Sequence, residues 1–210
     1  MKIKYYFFCF LFSISFFSCE NFSSKSKHLN VYKNITYVGK STCKQCHFDI
    51  YNTFIQTGMG KSFNTAKQDF SSSVFNTSLF DSASNSHYLP FWNDDSLFLH
   101  EYQLNNLDTT FSLTTKIDFI IGSGHHTNSH IINNNGYLFQ APFTFYTQDS
   151  ILDFPPGFNL GHNTRFDRKI GLECMSCHNA YPNHIENTLN KYNSVPRGIA
   201  CERCHGAGES

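Results

Sequence analysis

The sequence has little charge and no excess of either sign. Only 15% of its 210 residues are Asp, Glu, Lys or Arg, and its 16 basic side chains balance its 16 acidic ones. A chain without a basic excess has no general electrostatic attraction for phosphate backbones, so we expect no nucleic-acid partner. The sequence also lacks a cysteine pair for a structural disulfide. Six of its eight cysteines belong to repeats of one motif, and the other two, Cys9 and Cys19, lie in the N-terminal segment.

The repeated motif is Cys-x-x-Cys-His, which occurs at residues 43–47, 174–178 and 201–205. This pattern is the attachment sequence of a c-type haem. Two intervening residues place both thiols on one side of a single turn, where they can add to the two vinyl groups of the porphyrin. The motif therefore predicts three covalently bound molecules of haem c. The predicted thioether residues are Cys43, Cys46, Cys174, Cys177, Cys201 and Cys204.

The histidine of each motif is the predicted proximal iron ligand, the role that histidine fills in many haem proteins. These residues are His47, His178 and His205. Cys201 follows Cys174 at a spacing of only 27 positions, so we expect the second and third haems to lie close together, as in a chain of centres that passes electrons.

A structural zinc site is the competing interpretation of the last two motifs. Cys174, Cys177, Cys201 and Cys204 could form a four-thiolate site. That interpretation leaves Cys43 and Cys46 unexplained and makes the three histidines redundant, so the haem interpretation is favoured.

The N-terminus predicts export. Lys2 and Lys4 precede an apolar run, 5–17, that is too short to span a bilayer, and residues 1–18 are typical of a signal peptide. Cys19 follows a small residue, as in a bacterial lipobox, and is the predicted lipidation site. Residues 19–36 then form a flexible tether. We expect an exported lipoprotein, anchored to the membrane by its lipid and facing the periplasm or the cell surface.

The rest of the chain, 37–210, predicts one α+β domain, with short helices and loops around the haems. Apolar residues at helical spacing favour a helix over 44–56. Short strand patterns and an Asn135-Gly136 hairpin signal predict a small antiparallel β insertion at about 85–150, between the first two haem motifs.

Several residues are candidates for the second axial ligand of an iron. His125, His126 and His130 cluster in a loop bounded by glycines, which let a side chain approach a cofactor closely. Met59 follows the first predicted helix, and a methionine thioether is an accepted haem ligand. His184 and His162 are weaker candidates. The ordinary alternatives are solvated loop histidines and an apolar contact for Met59.

Residues 43–63, 122–130 and 171–206 together resemble multihaem c-type cytochromes related to the tetrahaem cytochrome of nitrifying bacteria. The resemblance implies electron transfer by several closely packed haems. It also implies thioether and proximal roles for the cysteines and histidines of the three motifs. Family members usually carry a fourth motif, whereas this sequence stops at Ser210, so it is either a three-haem version or a fragment.

Two functions follow. The favoured one is an electron carrier, without catalytic residues, whose partners are redox proteins such as a quinol-linked or another multihaem complex. The alternative is a multihaem oxidoreductase that acts on a small nitrogen or oxygen species at an open iron. The sequence lacks a lysine-ligated variant motif of the nitrite-reductase kind, which weakens the case for the second function.

Overall fold

The computed structural model describes residues 36–159 and 161–209. The expected signal peptide, the lipidation site Cys19 and all but the last residue of the tether lie outside these described residues. Among the helices of the described part, none combines the length and the apolarity that crossing a membrane requires.

The described part contains four short α-helices and eleven strands. The helices are α1 Lys40–Cys46, α2 Phe48–Phe54, α3 Leu172–His178 and α4 Glu202–His205, with a 3₁₀ turn at Gln68–Phe70. The strands are β1 Phe63–Thr65, β2 Leu79–Asp81, β3 Ser86–Asn93, β4 Ser96–Asn105, β5 Asp108–Ile117, β6 Phe119–Ile121, β7 Thr127–Asn134, β8 Tyr137–Tyr146, β9 Ile151–Asp153, β10 Asn183–His184 and β11 Tyr192–Ser194.

The strands form two main antiparallel sheets, which together we call the sandwich. One sheet has the order β1-β6-β7-β8-β9, the other has the order β2-β3-β4-β5, and β10 and β11 form a separate pair. Asn135 and Gly136 connect β7 to β8 with φ angles of 52° and 91°, so the predicted two-residue hairpin is confirmed. Pro90 lies in β3 beyond the three residues that pair with β2. At Pro90, one side of β3 has no neighbouring strand among the described residues. Proline has no N–H to donate, and on that side no hydrogen bond between strands is lost.

The five-stranded sheet buries both of its faces, because neighbouring residues on a strand point to opposite sides. On β6, Ile120 packs with the four-stranded sheet, whereas Ile121 packs with the helix of the second haem motif. On β7, Ile132 packs with the four-stranded sheet, and Ile131 packs with the helix of the second haem motif. This sheet therefore links the β core to the motif at 174–178.

The core between the two sheets is closed to solvent. Leu97, Leu99 and Phe143 have 0% exposure, and Tyr88 and Ile117 are buried beside them. Complete burial of one such side chain contributes on the order of 1.5–3 kcal/mol. The sandwich therefore has a hydrophobic core of its own, built from the protein alone.

The expected fold class is wrong. The described chain is mainly antiparallel β-sheet with four short helices, whereas we expected an α+β fold dominated by haem loops with a small β insertion. Strands also occur outside 85–150, because β1 joins the large sheet from before that range and β10 and β11 follow it. The sequence pattern finds single strands but does not show that distant three-residue strands pair into one sheet.

The helix predicted over 44–56 also differs in detail. It is two helices, α1 and α2, separated by His47 with φ −118° and ψ 46°. Neither helix buries a residue. The apolar periodicity is therefore a correct sign of helix, but the apolar face has no protein core to cover.

Candidate haem-attachment site

The second motif is the best embedded of the three. It lies on α3, where Cys174 and Cys177 fall three residues apart and so share one side of the helix. Between them in sequence, Met175 has 0% exposure and packs with Ile170 and Tyr192. Cys174 is half-buried at the edge of that cluster, and Cys177 is exposed. The helix is thus anchored by Met175 while its two thiols remain accessible.

Burial favours the neutral form of two side chains of this motif, Cys174 and His178. It raises the pKa of the Cys174 thiol, and the charge of Glu173 raises that pKa further. Burial lowers the pKa of His178, which favours the neutral imidazole that a metal ligand must present. The Ser62 hydroxyl donates a hydrogen bond of 2.7 Å to the His178 carbonyl oxygen and so fixes the end of the helix.

Two cavities adjoin His178. The first, of about 280 Å³, is lined by residues of α3 and by apolar side chains that include Ile121, Ile131 and Ile170. The second, of about 310 Å³, is lined by His178 together with Met59 and His126. The structure therefore brings two of the sequence-predicted distal candidates, Met59 and His126, to the same cavity as a proximal candidate.

The first motif lies on α1 and is much more open. Cys43 is partly buried, whereas Cys46 and His47 are exposed. Burial raises the pKa of the Cys43 thiol, and the neighbouring Cys201 thiol raises it further. Cys201 belongs to the third motif, so the first and third motifs are neighbours although they lie far apart in the sequence.

A buried carboxylate holds these two motifs together. Glu202, between the cysteines of the third motif, is 3% exposed. Its oxygens accept hydrogen bonds from the backbone N–H groups of Val38 at 2.8 Å, Gly39 at 2.8 Å and Gly208 at 2.9 Å. We call this arrangement the Glu202 clamp. Lys40 adds a bond of 2.6 Å from its ammonium to the carbonyl of Arg197. The start of α1 is thereby fixed against the start of α4.

The second and third motifs are joined by a further set of polar contacts. The Asn179 amide, directly after His178, donates to the Pro196 carbonyl, and Arg203 donates from Nε to the Asn179 carbonyl at 3.3 Å. The Arg203 guanidinium carbon also lies 4.1 Å from the ring centre of Tyr181. The segments that carry the three motifs therefore meet, and we call the place where they meet the attachment region.

The segment that carries Met59 is part of the same region. The Gly198 N–H donates to the Phe63 carbonyl at 2.7 Å, and the Ile199 N–H donates to the Met59 carbonyl at 3.1 Å. Gly198 has φ +56°, and a Cβ there would collide with the carbonyl oxygen of Gly60. Glycine is required at 198 because the two backbones approach so closely.

The structure separates the remaining distal candidates. His130 has 0% exposure and stacks on Phe143 with ring centres 4.0 Å apart, inside the sandwich. It lies where the β7–β8 register shifts, opposite a stretch of β8 that includes Pro142. Burial lowers its pKa to about 3, and its Nε2 has no hydrogen-bond partner among the described residues. Because His130 lies in the protein core, it is disfavoured as a haem-iron ligand.

His125 and His184 lie elsewhere. His125 lines a separate cleft beside α2. His184 packs edge-on against Tyr192 with ring centres 5.2 Å apart, and its Nε2 is buried and unpartnered in the described part of the chain. The other two proximal candidates, His47 after α1 and His205 at the end of α4, are both exposed.

The zinc alternative finds no support in residues 36–159 and 161–209. No three His, Cys, Asp or Glu side chains in these ranges come close enough together to hold a metal ion. None of the six motif cysteines, all within the described residues, forms a disulfide. An apolar cavity bordered by two thiols of one helix and a neutral imidazole instead fits haem c, whose iron needs one axial imidazole from the motif.

Sequence reasoning missed Glu202 and Ser62, which hold the motifs in place. Glu202 occupies an unspecified position of the motif and carries no sequence signal of its own. Its donors lie up to 164 residues away along the chain, so no local pattern could reveal them. Only the placement of an acidic residue between two attachment cysteines could have drawn notice.

One comparison with known proteins gives a match. Residues 159–206 match the model of the family described as cytochrome c554 and c-prime. This stretch contains the second and third Cys-x-x-Cys-His motifs and the spacer between them. No curated protein and no solved structure matches the chain. The match supports a c-type cytochrome family, with haem c as cofactor and haem-based electron transfer as function.

Proposed function

We propose that the protein transfers electrons through three covalently bound haem c groups, one at each motif. The observation that carries this proposal is the convergence of the three motif-bearing segments. Glu202 joins the first to the third, and Asn179 with Arg203 joins the second to the third. Haems attached to segments in mutual contact would lie close together, as a chain of electron carriers requires.

The residues divide the work of holding the haem. The cysteine pairs would hold the porphyrin, and each motif histidine would supply an imidazole ligand to its iron. The haem itself supplies one-electron chemistry when bound. At the second motif, the apolar side chains of Ile121, Ile131 and Ile170 line the cavity. A drier and less polar surrounding is one of the means by which a protein sets the potential of such a centre.

We propose that Met59 or His126 would supply a further iron ligand at the second motif. Both line the cavity that His178 also lines. The two choices differ in outcome, because a methionine ligand raises the reduction potential relative to a histidine.

The proposal extends to location and partners. We infer an exported lipoprotein that is anchored at Cys19 and faces the periplasm or the cell surface. Its partners would be redox proteins, among them a quinol-linked or another multihaem complex. What supports these inferences is the lipobox-like sequence at Cys19 and the export that covalent haem attachment implies in bacteria.

Intact mass of protein matured in a host that attaches c-type haems tests the proposal. We expect three haem masses and one lipid anchor. Replacing Cys174 and Cys177 by serine should remove one haem, whereas Ser176→Ala, between those cysteines, should leave three. A mature protein that carries no haem mass would refute the proposal.

A second candidate function is an oxidoreductase acting on a small nitrogen or oxygen species. The observation that favours it is His125, which lines an open cleft of about 580 Å³ where a small molecule could meet an acid–base group. Turnover of nitrite or hydroxylamine by the haem-loaded protein, lost in His125→Ala, would support it. Absence of turnover would leave electron transfer alone.

A further inference from the structure

The cleft beside α2 has an unusual concentration of positive charge. It measures about 580 Å³, within the range of small-ligand sites. Lys40, Lys61 and Arg197 line its walls, and Asp69 is the only acidic residue among the described residues that line it. The whole chain is neutral, so this local excess does not reflect the overall composition.

These three cations have no acidic partner in the described part of the chain. The ion pairs found there join Lys67 to Asp95, Arg165 to Glu101 and Lys169 to Asp167. Lys40 instead donates to a neutral acceptor, the carbonyl oxygen of residue 197. The cleft therefore keeps an excess of positive charge that no direct ion pair offsets within residues 36–159 and 161–209.

The cations also influence one another. Burial lowers the pKa of Lys40, the Cys201 thiol raises it in part, and the charge of Arg197 lowers it. Burial and the charge of Arg197 both disfavour the charged form of Lys40. A negative ligand in the cleft would oppose them, because it would stabilise the ammonium and the guanidinium together.

The cleft is held in shape by its other walls. Arg197 lies over the ring of Phe70, with its guanidinium carbon 5.3 Å from the ring centre. On another wall, the buried Asn128 accepts hydrogen bonds from the N–H and the hydroxyl of Ser72, at 2.8 and 2.7 Å. Gly124 lies close to that same hydroxyl, since a Cβ there would be 2.9 Å from it. A preformed site loses less entropy when it binds a ligand.

We propose that this cleft is a binding site for carboxylate or other oxyanion groups, held by Lys61 and Arg197 with Lys40 beside them. Arginine suits this task because its planar fork matches a carboxylate. The anion has two sources that the experiments below distinguish, a small free molecule or the propionates of the haem at the first motif. Only the second source rests on the proposed function.

Isothermal titration calorimetry with succinate and inorganic sulfate, at low ionic strength, tests the first source on the haem-loaded protein. We expect saturable binding that weakens at least tenfold in Arg197→Gln and in Lys61→Gln. Lys67→Gln, whose lysine is paired with Asp95 outside the cleft, should bind as the unchanged protein does. Unchanged far-ultraviolet circular dichroism verifies that the variants are folded.

Redox titration of the same proteins tests the second source. If propionates fill the cleft, the free anions will not bind, and Arg197→Gln will lower the midpoint potential of one haem because uncompensated propionates favour the ferric state. Lys67→Gln will not. Absence of both anion binding and a potential shift overturns the proposal. The haem count from intact mass is independent of either result, so failure of the proposed function would be recognised separately.

Discussion

The sandwich and the first motif of the attachment region are stabilised by different means. In the sandwich, side chains such as Leu97, Leu99 and Phe143 are fully buried against one another. In the attachment region, α1 and α2 bury no residue, and Phe48 and Ile50 are 56% and 68% exposed. Polar groups bonded to distant backbone hold the first and third motifs together, and only the second motif is anchored by a buried apolar side chain, Met175.

The difference indicates which part can fold alone. A closed apolar core stabilises the sandwich without any added group, because burial of apolar surface is the main favourable term in folding. The first motif has no such core, and its exposed apolar side chains gain a partner only when a large apolar group is attached. The cofactor is therefore expected to be structural for the attachment region and incidental for the sandwich.

The largest expected effect tests the sandwich. Leu99→Ala removes a fully buried side chain and should lower the free energy of unfolding by about 2–5 kcal/mol, from lost burial and the cavity left behind. Leu107→Ala is the matched control, since Leu107 is 95% exposed. Chemical denaturation measures both. Equal effects would contradict the assignment of the core.

The next effect tests the Glu202 clamp of the attachment region. Glu202→Ala leaves three backbone N–H groups without their charged acceptor and should cost about 2–3 kcal/mol in local opening. Hydrogen exchange at Val38, Gly39 and Gly208 should accelerate, with little change in β4. Glu186→Ala, at an exposed position, should alter none of these rates. Unchanged protection in the Glu202 variant would show that the clamp contributes nothing.

A third effect is pH dependence within the sandwich. Burial lowers the pKa of His130 to about 3, whereas an unfolded histidine has a pKa of about 6.5. The unfolded state therefore binds the extra proton first as the pH falls below 6.5, and stability is lost from there down to the folded pKa. The loss from pH 7 to pH 5 should be about 2 kcal/mol.

Unfolding His130→Leu at pH 7 and at pH 5 measures this contribution. The packing change caused by the substitution is the same at both pH values, so it cancels in the difference between the two free energies of unfolding. In this variant, the loss of free energy of unfolding between pH 7 and pH 5 should be smaller by about 2 kcal/mol. His162→Leu, at an exposed position, should keep the original slope. Identical slopes in all three proteins would mean that His130 is accessible to protons in the folded state.

The smallest effect sharpens the contrast between the regions. Phe48→Ala should change the stability of haem-free protein by less than about 0.5 kcal/mol, as for other exposed positions. In haem-loaded protein we expect a loss of about 1 kcal/mol, because the ring would then cover attached porphyrin. Denaturation of both forms measures the difference. The same value in both would show that Phe48 stays exposed.

The sequence predicted local features well. The three motifs, the Asn135-Gly136 hairpin and the helical character after Cys43 follow from short-range patterns, and the structure has a helix or turn at each. The sequence did not predict that β-sheet would predominate over helix. The reason is that β1 and β6 pair across more than fifty residues, and three-residue strands have almost no periodicity.

The candidate site was predictable only in part. The residue types at the motifs are a direct chemical signal, and Met59 and His126 were among the distal candidates. His130 could not be separated from its neighbours in the same loop, because a one-residue change of register on β7 decides between core and surface. The acceptor role of Glu202 depends on the tertiary fold and leaves no local trace.

The Glu202 clamp closes a long loop of chain. The bond from Gly39 spans 163 residues, and the whole sandwich lies between its two ends. Contacts of such long sequence separation form late, because closing a long loop costs chain entropy before the contact is made. While the exported chain folds, Cys43 and Cys46 are therefore expected to stay undocked and open to the attachment machinery until the third motif docks against α1.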